Sequence, residues 1–375
     1  MFLIFFGAVV GAFCLIIVSF FAATFAAVNK SVDIQQKRLE HLRTSYQSGN
    51  FKAVEESDFC DFDLSKALEK DVKLIDLQFL ATHNSYKKEK TVLEKFYAKF
   101  SKGLSECNYY FESLTDQLNA GIRSFEYDLF YRQRKSSVSF HSFHIGYADM
   151  SSNAFDFSAC LEELDLWSQN NPNHLPITVI LELKENGGAY PYKTITKNQL
   201  SDLDKLIKDK IKNLYTPSQA MKGYTNLNDM RANEASPSLK ETMGKVLFIL
   251  HPGKLTKDYV ALDKTYKTQA MFPSAYFWWD KAVGANSFVI INNHGVSESS
   301  IDENGGRKNK YLFRIMIDSA ACPMPDMDEI LSAIATGATI CSTNKPPRFN
   351  GTEQNISILF APYNRTVRLV EDVVL

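Results

Sequence analysis

The chain has 375 residues, of which 13% are aromatic and 23% charged, and its formal net charge is -1. That length supplies one large domain or two small ones, and the composition excludes a disordered chain. No global basic field exists to gather a polyanion, so nucleic acid is not an expected partner.

Met1 to Val28 carries no charged side chain, and about 20 apolar residues suffice to span a bilayer as a helix. The missing basic n-region and the length of the apolar run favour a retained transmembrane anchor over a cleaved signal, for which Ala23 to Ala27 would be the cleavage site. Lys30, Lys37, Arg38 and Arg43 lie just after the span, and the positive-inside rule would place them on the cytoplasmic side. Glycosylation sequons at Asn29, Asn350, Asn355 and Asn364 point the other way. On balance the expectation is a membrane-anchored or secreted protein with an extracytoplasmic catalytic domain. Of the six cysteines, Cys14 lies in the span and no CxxC pair occurs, which leaves a zinc cage unsupported. Cys60–Cys107 and Cys322–Cys341 are candidate disulfides, with small buried thiols as the alternative.

Residues 29–73 are polar and charged, with helical stretches at Val32–Ser45 and Ser65–Lys73, and read as a stalk or an N-terminal helical layer. Eight short β-prone runs follow: Asp76–Thr82, Ser124–Phe130, Val138–His144, Ile177–Leu183, Lys245–Leu250, Ser287–Asn292, Tyr311–Ile317 and Ala338–Thr343. Helical patterns at Phe157–Ser168, Lys197–Lys212 and Asp326–Thr336 lie between them. Strands alternating with helices predict a parallel sheet, and eight of them an α/β fold of the TIM-type β/α barrel class over residues 74–347, with a tail at 348–375. About nine residues separate Asp128 from Val138, too few for a helical crossover. The long gap Glu185–Gly244 is expected to hold an insertion over the barrel mouth.

In such a barrel the active site lies at the C-terminal ends of the strands. The first four runs end in polar clusters: Thr82-His83-Asn84-Ser85-Tyr86, then Glu126-Tyr127-Asp128, then His144, then Glu182-Leu183-Lys184. A lone histidine is more often structural, but His83 and His144 at two strand ends form a candidate acid/base pair. His141 competes with His144; being three residues apart they face opposite sides of a strand, and His144 is nearer the end. Asn84, Glu126, Asp128 and Glu182 offer only oxygen, which suits Ca²⁺, or Mg²⁺ with more waters, whereas zinc would prefer His or Cys. Glu126 and Asp128 point to the same side of a strand, and the apolar neighbours Phe125 and Leu129 speak against simple surface ion pairs. Lys184, Arg123 and Arg314 are candidate phosphate ligands, each alone being more simply a barrel ion pair. Phe272, Tyr276, Phe277, Trp278 and Trp279 form an aromatic cluster, either core or a lipid-facing rim.

These residues resemble the Ca²⁺-dependent phosphoinositide phospholipase C family, within the phosphatidylinositol-specific phospholipase C-like phosphodiesterase superfamily. The resemblance runs through Ala81 to Tyr86, Leu114 to Arg123 leading into Glu126 and Asp128, and His144 with Asp149. It continues through Leu166-Trp167-Ser168 before Asn171 to Pro176, Ile180 to Lys184, Gly244 to Phe248, Phe313 to Asp318 and Ala335 to Ala338. It implies a β/α barrel that cleaves phosphatidylinositol-like lipids to diacylglycerol and a cyclic inositol phosphate, which water can then open. His83 would then act on the attacking hydroxyl or stabilise the pentavalent phosphate, and His144 would protonate the leaving oxygen. Asn84, Glu126, Asp128 and Glu182 would hold Ca²⁺, with Glu126 or Glu182 also serving as base. Where the family usually has Ser-Thr-Asp-Tyr, this chain has Ser342-Thr343-Asn344-Lys345, which puts substrate contacts there in question. The partners implied are a membrane phospholipid and, through the N-terminal helix, the membrane itself. Alternatives are a related enzyme acting on glycerophosphodiesters or sphingolipids, and a barrel that only binds lipid head groups.

Overall fold

The computed structural model describes residues 2–99, 109–276, 289–291, 310–318, 327–345, 360–361, 365–370, 373 and 375, with side chains from Phe21 onward except at 290, 327 and 329. Its strands are β1 (Leu77–Thr82), β2 (Ser124–Arg134), β3 (Ser137–Ser142), β4 (Ile177–Leu183), β5 (Lys193–Thr194), β6 (Val246–Leu250), β7 (Met271–Ala275), β8 (Val289–Ile291), β9 (Leu312–Met316), β10 (Ile340–Thr343) and β11 (Val367–Leu369).

Eight of them pair in parallel around a ring in the order β1, β2, β4, β6, β7, β8, β9, β10 and back to β1. The β1–β2 seam is the narrowest, a single register pair of Ala81 with Ser124. This is the expected barrel with one substitution among its staves. The run Val138–His144 is not a barrel strand: β3 folds back antiparallel on β2, with Leu129 opposite Ser142. The link after Asp128 is too short for a helical crossover, and the chain takes the hairpin rather than a bare return loop to a parallel strand. The missing stave is β7, which pairs Leu250 with Pro273 on one side and Ser274 with Val289 on the other.

Strand alternation divides the core in two. Phe125, Tyr127 and Leu129 of β2 and Val179, Leu181 and Leu183 of β4 face outward, against Phe157, Leu161, Leu164 and Trp167 of the helix Phe157–Asn170 and against Leu200, Leu203 and Ile207 of the helix Leu200–Lys210. Phe79, Ile180, Leu247, Ile249, Phe272, Leu312 and Ile340 pack in a second cluster. The segment expected over the mouth mostly closes the opposite end. Met221, Leu227, Met230 and Leu239 join Leu74 and Leu77 in that second cluster, and Leu239 donates its N–H to the Val72 carbonyl.

The N-terminal helix runs unbroken from Phe2 to Gln47. Its later turns form a layer docked on the barrel. Val28, Ser31, Gln35 and Leu39 are buried, at the 3–4 spacing of one helix face. Gln35 bonds both the N–H and the carbonyl of Asp156, and Arg38 pairs with the buried Glu163 at 2.8 Å. Among the described residues no helix is long and apolar enough to cross a membrane. Cys60, Cys160 and Cys341 are buried free thiols, so neither candidate disulfide forms. Cys107, Cys322, Asn350, Asn355, Asn364, Phe277, Trp278 and Trp279 lie outside the described residues.

Candidate active site

The turn after β1 is pinned to β2. The Ser85 N–H donates to the Glu126 carbonyl, the Glu126 N–H donates to Ser85 Oγ, and Gln117 Nε2 donates to the Ser85 carbonyl. Asn84 sits there at φ +52°, a left-handed geometry that Asn tolerates better than most residues. Asp128 and Glu182 are register partners on adjacent strands, two residues beyond the Glu126–Ile180 pair. The pinned turn and the paired strands bring four sequence-predicted oxygen donors together. Tyr86 Oη donates to Asp128 Oδ2 at 2.9 Å and lies 3.3 Å from Asn84 Oδ1.

Two cations from the candidate set join them. Arg314, buried on β9, holds Glu126 Oε2 at 2.5 Å and donates from Nε to Ser342 Oγ. Lys184 Nζ bridges Asp128 Oδ2 at 3.2 Å and Glu182 Oε1 at 2.9 Å. The third candidate cation, Arg123, does not belong to the site. It precedes β2, at the other end of the barrel, and is spent on Glu56 and the carbonyls of Leu118 and Ile122.

The protonation pattern follows from burial and these partners. Burial raises the Glu126 carboxyl, but Arg314 and His83 outweigh it and hold it below the usual range. Burial and the neighbouring Glu182 charge push Asp128 well above that range, against Lys184. Burial raises Glu182 too, but Lys184 and His251 bring it down. Burial works against the Lys184 charge, and Asp128 and Glu182 override it, so Lys184 stays protonated.

The histidines are held through Nδ1. Asn344 Nδ2 donates to Asp318 Oδ1 at 2.8 Å, which turns Asn344 Oδ1 toward His83 Nδ1 at 2.7 Å. An amide oxygen only accepts, so Nδ1 carries the proton and Nε2, 3.9 Å from Glu126 Oε1, keeps its lone pair. Tyr109 stacks on the ring, and its hydroxyl lies 3.0 Å from Nδ1. Burial lowers the His83 pKa to about 4, against the pull of Glu126 and with the push of Arg314. His144, just past the hairpin, meets the buried Asp149 at 3.0 Å, and Asp149 also pairs with Lys87 at 2.6 Å. Burial lowers His144 as well, while the bond to Asp149 opposes that. His141 lies instead between the rings of Phe155 and Tyr192, and its Nε2 meets Ser139 Oγ.

Hard oxygens, three of them carboxylates, suit Ca²⁺, and Asp128 Oδ1 is buried with no hydrogen-bond partner among the described residues, as suits an oxygen aimed at a metal. The residues present therefore fit the ion. His251, directly after β6, was missed by sequence reasoning. It offers a ligand atom within 4.8 Å of those of Glu126 and Glu182. It ends its apolar run as the other clusters end theirs, and the same rule applied to the fifth run would have found it. A cavity of about 300 Å³ opens beside Glu182, Lys184, His251, Lys254 and Tyr276.

No curated protein matches the chain. Among solved structures it is similar to the calcium-dependent phosphoinositol-specific phospholipase C of a Gram-negative bacterium, Pseudomonas sp., in an apo form and in a myo-inositol complex. In both, the identity is 18% and the TM-score 0.56, over 84% of this chain and 100% of that one. The Ca²⁺-dependent phosphatidylinositol-specific phospholipase C of Streptomyces antibioticus is also similar, at 18% identity and a TM-score of 0.54 over 73% of this chain and 95% of that one. At these identities the likeness establishes the fold. A family model described as "Phosphoinositide phospholipase C, Ca2+-dependent" matches residues 72–135 and 131–356. The chain therefore belongs to the Ca²⁺-dependent phosphoinositide phospholipase C family, enzymes that hydrolyse a phosphodiester with phospholipase C chemistry.

Proposed function

We propose that the barrel mouth cleaves the phosphodiester of a phosphatidylinositol-like membrane lipid, releasing diacylglycerol and a cyclic or open inositol phosphate. The observation that carries this reading is the pair of imidazoles each fixed through Nδ1, His83 by Asn344 and His144 by Asp149, beside the converging oxygens. With Nδ1 engaged, Nε2 is the atom that exchanges protons. His83 Nε2, neutral and beside Glu126, receives the proton of the attacking inositol hydroxyl. His144, whose charged form Asp149 favours, gives a proton to the leaving diacylglycerol oxygen. Asn84, Glu126, Asp128 and Glu182 would hold Ca²⁺, which when bound neutralises phosphate charge and lowers the pKa of the attacking hydroxyl. Arg314 keeps Glu126 ionised and in place, and Lys184, which lines the cavity and bridges Asp128 and Glu182, is the cation for a phosphate oxygen. The myo-inositol found with the Pseudomonas enzyme supports an inositol head group.

The uncharged stretch Met1 to Val28, continuous with a helix docked on the barrel, supports a membrane anchor, and the sequons support an extracytoplasmic catalytic domain. The test is release of water-soluble inositol phosphate from phosphatidylinositol vesicles, with Ca²⁺ and with chelator. Release with Ca²⁺ that chelator abolishes is expected. No release under either condition refutes the lipase reading, and release indifferent to chelator refutes the metal assignment. Loss of the protein from carbonate-washed membranes would refute the anchor.

A further inference from the structure

The oxygen that holds His144 is shared. His144 Nδ1 lies 3.0 Å from Asp149 Oδ2, and Lys87 Nζ lies 2.6 Å from the same atom. Lys90 Nζ stands 3.7 Å from it. The Lys87 and Asp149 side chains are both fully buried. Asp149 Oδ1 has no hydrogen-bond partner among the described residues, so the carboxylate acts on its neighbours through Oδ2. Lys87 also belongs to the turn that carries the other imidazole. Its N–H donates to the Asn84 carbonyl at 2.9 Å, and its ammonium lies 4.5 Å from the centre of the Tyr109 ring that stacks on His83. A buried ion pair is costly to desolvate, and apolar residues of like volume often serve stability as well or better. Stability alone therefore gives this ammonium little reason to be there.

We propose that Lys87 is a positioning residue for proton transfer by His144: it fixes Asp149 Oδ2 against the ring and keeps that carboxylate paired throughout the reaction. The proposal rests on the reading of His144 as the acid. As the bond from phosphorus to the diacylglycerol oxygen breaks, His144 Nε2 gives its proton to that oxygen and becomes neutral. With no second cation, Asp149 would then be left as an uncompensated buried charge, and that cost would resist the transfer. With the Lys87 ammonium on the same oxygen, the carboxylate is paired before and after, and the ammonium keeps its own proton. The electrostatics agree. Burial raises the Asp149 carboxyl, but His144, Lys87 and Lys90 outweigh it and hold it below the usual range. Burial lowers His144, and Lys87 adds to that against the pull of Asp149, which favours release of the proton.

The full chain with Ca²⁺ is assayed on phosphatidylinositol vesicles and on a soluble inositol phosphodiester with a nitrophenolate leaving group, which departs without a proton. Wild type, Lys87→Gln, His144→Ala and the double variant are compared, with near-UV circular dichroism confirming the fold. Lys87→Arg, which keeps the charge but spreads it over a planar fork, goes through the same cycle should Lys87→Gln fail to fold. On the lipid, the Lys87 variant is expected to lower kcat by about 10–100-fold with little change in KM. It should lose little on the nitrophenyl ester, and it should add nothing in the His144→Ala background, because two residues acting through one step are not additive. Equal loss on both substrates, a full further loss in the double variant, or an unchanged kcat in the folded variant overturns the role of Lys87. A loss in His144→Ala as large on the nitrophenyl ester as on the lipid overturns instead the acid role of His144 beneath it.

Discussion

Arg123 separates a structural cation from a catalytic one. Its guanidinium is fully buried, donates to both carboxylate oxygens of Glu56 at 3.2 and 2.6 Å, and donates to the carbonyls of Leu118 and Ile122 at 2.6 and 2.8 Å. It also lies 4.9 Å from the Trp167 ring centre and 5.2 Å from that of Phe59. Arg123→Met preserves most of the packing but strands the Glu56 carboxylate, itself only 6% exposed, and takes a donor from the carbonyls of Leu118, which keeps the Gly121 N–H, and Ile122. Removing one member of a buried pair costs about 3–5 kcal/mol, and the lost carbonyl bonds place this case at the upper end. Guanidinium unfolding should show a lower midpoint with an unchanged slope. On vesicles, KM and kcat per folded molecule should match wild type, because nothing at the mouth has moved. A variant as stable as wild type, or one whose KM rises while stability holds, would refute the reasoning.

His83→Ala and His144→Ala should each lower kcat by about 10²–10⁴-fold in the soluble-phosphate assay, and full activity in either would remove that residue from the mechanism. His174 gives a pH effect away from the mouth. It is buried, its Nδ1 faces the Leu175 carbonyl, its Nε2 meets Ser168 Oγ, and burial lowers its pKa to about 4. The unfolded chain takes up that proton near pH 6.5 and the native chain does not. Its contribution, at most about 3 kcal/mol, is therefore complete above pH 6.5 and lost as pH falls toward 4. His174→Gln should flatten this slope in denaturant melts between pH 7 and pH 5, and an unaltered slope would count against it. Gly244 has φ +67°, and a Cβ there would meet the Pro172 carbonyl oxygen at 2.3 Å. Gly244→Ala should thus cost more than about 1 kcal/mol by thermal melt, and equal stability would show that this loop yields.

Barrel strands are visible in the sequence as continuous apolar runs because both of their faces are buried. β7 escaped because Met271-Phe272-Pro273-Ser274-Ala275 is five residues long and contains a proline, which argues against a central strand. β3 reads as a barrel strand in the sequence because it is β-prone. Yet its alternating burial, with Phe140 and Ser142 inside and Ser137 and Ser139 out, is that of a ribbon with one open face. At the site, Glu126 and Asp128 share a face by simple alternation, a local property. Which cation joins them depends on position along the barrel axis. Arg123 stands before the first residue of β2 and Arg314 inside β9, so the rule that chemistry gathers at strand C-termini separates the two. The bond between His83 and Asn344 brings together the ends of the first and last staves, β1 and β10, which only the closed barrel makes neighbours.

The unbroken N-terminal helix has a mechanical consequence. Forty-six residues at 1.5 Å each make a rod of about 69 Å, and one side of its later turns is keyed to the barrel at Val28, Gln35 and Leu39. A flexible tether would leave the barrel free to tumble, whereas a keyed rod transmits rotation. Inserting one residue upstream of Thr24 would swing everything before it by about 100° around the rod axis and push it outward by about 1.5 Å, while seven residues would bring it back to within about 20° of the original bearing. The residue count between the first turn and the keyed face therefore works as an angular setting, fixing which way the opening of the barrel looks relative to the apolar end of the chain.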